Sequence, residues 1–157
     1  MMIMGRNTRC GFAPCAAVMV MLLLMAWPGS AQETQGDRAG VERAALDYLE
    51  GFYEGDPGKL ERSVHPEVLK FGFSWREGDY QRVPMSFDEM LSFAERVRTQ
   101  GQQPGPDAPK RVEILDVLDQ TAVAKVYAWW GSDYLSMARY GGEWKIVQVL
   151  WQSPPRG

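Results

Sequence analysis

Residues Ala122–Gln152 read AVAKVYAWWGSDYLSMARYGGEWKIVQVLWQ, and this stretch decides the fold. Its apolar residues alternate with a period of two, the signature of strands with two distinct faces. Thr121 to Trp130 forms the first strand. Gly131-Ser132 turns the chain, and Asp133 to Tyr140 runs back. Gly141-Gly142 is a hairpin turn, because a type I′ loop needs positive φ at both central positions and glycine supplies it. Trp144 to Gln152 is the last strand.

Two-residue turns fix the register. Met137 is expected opposite Val126 and Ile146, Leu135 opposite Ala128 and Gln148, and Asp133 opposite Leu150. One face then carries Ala122, Ala124, Val126, Ala128, Trp130, Leu135, Met137, Trp144, Ile146 and Leu150, with the polar Asp133 and Gln148 among them. The other carries Lys125, Tyr127, Trp129, Tyr134, Ser136, Val147, Val149 and Trp151. Both faces are too apolar for a sheet with one wet side. Helices can cover the alanine-rich face. The aromatic face, with Tyr127, Trp129, Tyr134, Val149 and Trp151, needs another cover, and a second copy of the chain supplies one.

Upstream, the 157-residue chain has room for one domain with a real core. Arg6 and Arg9 precede the apolar run Ala16–Trp27, and Gly29-Ser30-Ala31 supplies small residues before Gln32. This is the order of a secretory signal peptide, and the run is short for a spanning helix. Residues 1–31 are therefore expected to be removed, leaving an exported protein, periplasmic or extracellular, without stable membrane association. Both cysteines, Cys10 and Cys15, leave with that segment, so no disulfide or thiol chemistry is expected. The formal charge is −3 for the whole chain and becomes −5 without Arg6 and Arg9, which argues against nucleic acid as a partner.

The body begins after a polar leader, residues 32–40, expected to be disordered. Val41, Ala44, Ala45, Tyr48, Leu49 and Phe52 recur at helical spacing. Asp56-Pro57 starts a second, short helix, with Asp56 as N-cap, and His65-Pro66 stops it. Leu69, Phe71, Phe73 and Trp75 alternate as a strand, and Glu77-Gly78-Asp79 turns the chain into Tyr80–Val83. Ser86-Phe87-Asp88-Glu89 is a capping box opening a third helix. A proline-rich loop, residues 102–109, and a strand from Arg111 to Leu118 lead to the sheet. Helices first, then a strand pair, a helix and a run of antiparallel strands make an α+β domain over residues 41–152, followed by a tail, 153–157.

This order, with Tyr53-Glu54-Gly55-Asp56, His65-Pro66, Asp133-Tyr134-Leu135 and Gly142-Glu143-Trp144-Lys145-Ile146, resembles the nuclear transport factor 2-like (NTF2-like) superfamily, and within it the branch labelled putative lumazine-binding. The resemblance implies a cone in which a curved antiparallel sheet wraps around about three helices. It also implies a pocket at the open end and often a dimer through the outer sheet. The superfamily holds isomerase-like and dehydratase-like enzymes beside members without catalysis, and no catalytic motif transfers to this chain residue by residue.

The expected use of the fold is binding of a small, largely apolar molecule. Trp75, Tyr80 and Trp130 are expected as walls of its pocket, and His65, Asp133 and Gln148 as polar contacts. An isomerase- or dehydratase-like enzyme with His65 or Asp133 as general base is an alternative, as is an interaction module acting through the aromatic face. One histidine and no cysteine after processing leave no metal-site spacing, and no glycine-rich phosphate loop is present, so neither metal nor cofactor is expected.

Overall fold

The computed structural model describes residues 29–154. Helix α1 spans Gly29–Glu54, α2 Pro57–Ser63 and α3 Phe87–Thr99; the strands are β1 Val64–Arg76, β2 Asp79–Pro84, β3 Arg111–Val117, β4 Thr121–Ala128, β5 Gly131–Tyr140 and β6 Glu143–Gln152. The expected signal peptide lies largely outside the described residues. Residues 32–40, expected to be a disordered leader, belong instead to α1. Among the described residues no helix is long and apolar enough to cross a membrane.

The helices start and stop where local chemistry dictates. The Asp56 carboxylate caps α2 by accepting from the Gly58 N–H at 2.9 Å. In α3 the Ser86 hydroxyl accepts from the Glu89 N–H, while the Glu89 carboxylate accepts from the Ser86 N–H at 2.6 Å, a complete capping box. On α1 the periodic set Val41, Ala45, Tyr48 and Leu49 is fully buried, and Ala44 and Phe52 nearly so. This stripe packs on Ala122, Ala124, Val126, Leu135, Met137 and Ile146 of the sheet. The small alanine side chains of β4 let the helix lie close to it.

The six strands form one curved sheet in the order β2-β1-β6-β5-β4-β3. Four of its five pairings are antiparallel; β1 and β6, joined through the rest of the chain, run parallel. Gly141 and Gly142, at φ 59° and 93°, make the turn between β5 and β6.

The first turn of the hairpin pair lies at Trp129-Trp130 rather than Gly131-Ser132, and Ala128 pairs with Gly131. Tertiary contacts decide this. The Trp130 ring meets Phe52 and Tyr53 edge-on at 5.4 and 5.8 Å, and the Trp129 N–H donates to the Tyr53 hydroxyl at 3.0 Å. Met137 therefore pairs with Ala122 and Leu135 with Ala124. The displacement along β4 is four residues, an even number, so the expected facing of both strands survives.

On the other side of β5 the facing changes. Met137 pairs with Ile146 as the turn requires, but Ser136 pairs with Gln148, which leaves Val147 as an extra residue on β6. This β-bulge reverses everything beyond it. Val149 turns inward and is fully buried, Trp151 follows it, and Gln148 and Leu150 turn out. Gln148 thus leaves the inner face, and Val149 and Trp151 leave the outer one.

Candidate functional site

Strand β1 carries its apolar set outward. Leu69 is 55 % exposed and Phe73 37 %, whereas Lys70 at the centre of the strand is buried. Lys70, Gly72, Ser74 and Arg76 share the inner face, as alternation requires. Across from them Trp151 lies over Gly72, where an added Cβ would come within 2.3 Å of the indole ring and the Trp151 carbonyl oxygen. Only glycine admits the ring there.

Between this part of the sheet and the helices opens a cavity of about 400 Å³. Phe52 of α1, Phe93 of α3, Met85, Trp129, Trp130 and Trp151 form its apolar walls. Val83 of β2 and the polar groups Lys70, Ser74, Arg76 and Ser153 complete the lining. It is a largely apolar recess with a few polar groups, the ordinary composition of a small-molecule site.

Behind the lining lies a buried polar chain. Asp133 is fully buried. One carboxylate oxygen accepts from the Tyr48 hydroxyl at 2.5 Å, and the other from the Trp130 indole N–H at 2.7 Å. The Lys70 amine donates to the Tyr48 hydroxyl and stands 3.8 Å from the Asp133 carboxylate. It also lies 4.9 Å from the ring centres of both Tyr48 and Phe52, within cation–π range. Burial pushes the Tyr48 phenol well above its ordinary value, and the Asp133 charge pushes the same way. Burial lowers the Lys70 amine, against the opposing pull of Asp133.

The structure separates the residues expected at the site. Trp130 lines the cavity. Asp133 is on the inner face as expected but sits behind the lining, with both oxygens accepting hydrogen bonds. Gln148 is exposed on the outer face because of the Val147 bulge. Trp75 and Tyr80, which face each other across β1 and β2, pack edge-on at 4.9 Å and line no part of the cavity. His65 is also outside it; its ring stacks on Tyr140 at 4.7 Å and its Nδ1 accepts from the Glu67 N–H at 3.2 Å. Of the residues expected on the aromatic outer face, Tyr127 and Tyr134 are there. Trp129 sits in the turn and lines the cavity, and Val149 and Trp151 face inward.

Sequence reasoning missed Lys70, Ser74 and Arg76. The signal was present as the polar half of a strand read only for its apolar half. Among the described residues no group of three or more His, Cys, Asp or Glu side chains is placed to hold a metal ion.

A comparison with curated proteins gives no match. Among solved structures, an NTF2-like protein of unknown function from Silicibacter pomeroyi DSS-3 is similar over 77 % of this chain and 98 % of its own, at 19 % identity and a TM-score of 0.59. Another, from Shewanella baltica OS155, covers 81 % and 98 % at 16 % identity and a TM-score of 0.55. Naphthalene 1,2-dioxygenase with indole in its active site covers 81 % of each chain at 14 % identity and a TM-score of 0.53. At these identities the likeness is one of fold. The fold is thus that of NTF2-like proteins. Residues 36–152 match the family described as "Putative lumazine-binding", and the chain belongs to that family.

Proposed function

We propose that the protein is an exported binding module that holds a small, largely apolar molecule in the cavity between Phe52, Phe93, Trp130 and Trp151. The observation that carries this reading is the cavity itself. It is about 400 Å³ of largely aromatic-walled space beside the hydrophobic core, with Trp151, seated over Gly72, as part of its wall. An open recess of this size, apolar with a few polar groups, is the usual form of a small-molecule site. The family's description points the same way, towards a small ligand.

Native mass spectrometry of protein isolated from its own host tests the reading. A co-purifying small molecule is expected, and Val83→Phe, which narrows the cavity, should lose it while the fold is kept. Retention of the molecule by that variant would place it elsewhere. Export is tested by the mass of the protein recovered outside the cytoplasm, expected to begin near Gln32.

A second reading, compatible with the first, is a homodimer through the outer sheet face. Leu69, Phe73, Tyr134 and Leu150 are all exposed there, on adjoining strands β1, β6 and β5. Large apolar side chains grouped in this way favour a partner, and an isologous contact would bury the patch twice.

A further inference from the structure

We propose that the molecule bound in the cavity is a planar aromatic anion, one or two fused rings bearing a carboxylate, and that Arg76 recognises its charge. This rests on the reading of the cavity as a ligand site and adds the chemical class.

The polar lining can donate hydrogen bonds but supplies no negative charge. It consists of Lys70, Ser74, Arg76 and Ser153 and contains no carboxylate. The nearby acid, Asp133, is fully buried with Tyr48, Trp130 and Lys70 around it, so the Lys70 ammonium already has its counter-charge inside the fold. Arg76, exposed at the end of β1, makes no ion pair among the described residues: Asp79, opposite it on β2, lies beyond ion-pair distance. The cation at the mouth of the cavity without a bonded counter-charge is therefore Arg76.

Its neighbours suit a carboxylate. Arg76 follows Ser74 by two residues on the same face of β1. The Ser153 hydroxyl is fixed beside them, accepting from the Trp75 N–H at 3.0 Å with its own proton left to donate. A planar guanidinium fork matches the two oxygens of a carboxylate, and flanking hydroxyls add donors. Deeper in, Phe52 meets Phe93 at 5.8 Å and 68° and Trp130 at 5.4 Å and 73°. These tilted rings offer both faces and edges to a flat aromatic guest. A ligand with its ring among these side chains and its carboxylate at Arg76 satisfies both halves of the site.

The test uses two probes of nearly the same shape, 2-naphthoate and neutral 2-naphthylmethanol. Each is titrated into the wild-type protein and followed by tryptophan quenching and by calorimetry. Naphthoate should bind about tenfold more tightly at low salt, the size of one charge-assisted contact, and lose that advantage as salt rises. Arg76→Gln should bring the two probes within about threefold of each other, with Arg76→Lys intermediate because it keeps the charge and loses the fork. Equal binding of the two probes by wild type, or a preference that survives Arg76→Gln, overturns the proposal and leaves the broader reading of the cavity intact. Binding of neither probe also overturns it. The cavity reading is then decided separately, by the mass measurement on Val83→Phe.

Discussion

Lys70, Tyr48 and Asp133 depend on one another. Each is buried, and each would be costly alone in a low-dielectric interior. Lys70→Met leaves the Asp133 charge without a counter-ion and should cost about 3–5 kcal/mol; Asp133→Asn, which strands the Lys70 ammonium, should cost a similar amount. Combining the two removes both charges and should recover most of the loss. Denaturant melts of the four proteins measure that coupling, and additive losses would show the pair to be weaker than its geometry. The same groups set a pH dependence. The Lys70 amine is lowered on folding, so the unfolded chain binds more protons between the lowered value and the ordinary lysine range, and this group adds stability as pH rises through that window. The Tyr48 phenol is raised, so the folded chain holds its proton longer, and stability falls as pH rises above about 10. Tyr48→Phe should cost about 1–3 kcal/mol near neutrality, because Asp133 loses a donor, and should flatten the alkaline fall. Melts at intervals from pH 8 to 11 check both signs. Asp133 was legible as an inner-face polar residue because alternation on β5 is unbroken. Lys70 was not, because nothing in the spacing of Leu69, Phe71, Phe73 and Trp75 says which half of β1 faces the core.

At the scale of elements, one residue decides the site. Val147 is the extra residue on β6, and without it Val149 and Trp151 would stand on the outside with Tyr134. No glycine or proline marks the bulge, so a regular register was the natural reading of β6. The helices behaved otherwise: the Asp56 cap, the Ser86–Glu89 box and the α1 stripe are local signals, and each is where its residues predict. The bulge turns Trp151 into the cavity, and Gly72 gives it room, so β1 and β6 form one device across the parallel pairing. Gly72→Ala tests it. The new Cβ would come within 2.3 Å of the ring and the carbonyl of Trp151, and neither can yield without moving β6. Overpacking of this kind costs about 1–3 kcal/mol. A lower melting temperature should therefore accompany a change in tryptophan emission, while Gly78→Ala in the open β1–β2 turn lowers stability through its positive φ alone and leaves the emission unchanged.

For the whole molecule, the curved sheet assigns its two faces to different tasks. The inner face packs on α1 and α3, and the cavity remains where Lys70, Ser74 and Arg76 replace apolar side chains on β1. The outer face shows Leu69, Phe73, Tyr134 and Leu150 to solvent. A second apolar face was legible in the alternation, but of these four only Tyr134 was expected on it: the bulge turns Val149 and Trp151 inward and Leu150 outward, and β1 adds Leu69 and Phe73. Phe73→Glu combined with Leu150→Lys is the appropriate pair. The two sites adjoin on β1 and β6, yet alternation points their side chains to opposite sides of the sheet. If the outer face joins two copies, sedimentation should give a dimer for wild type at micromolar concentration and a monomer for the double variant. Ligand affinity should then change by no more than ~0.5 kcal/mol, the limit for independent sites. A monomeric wild type would mean that the patch meets a different partner. A dimer whose dissociation also weakens binding would mean that the parallel β1–β6 pairing, with Trp151 lying over Gly72, transmits the contact from one face to the other.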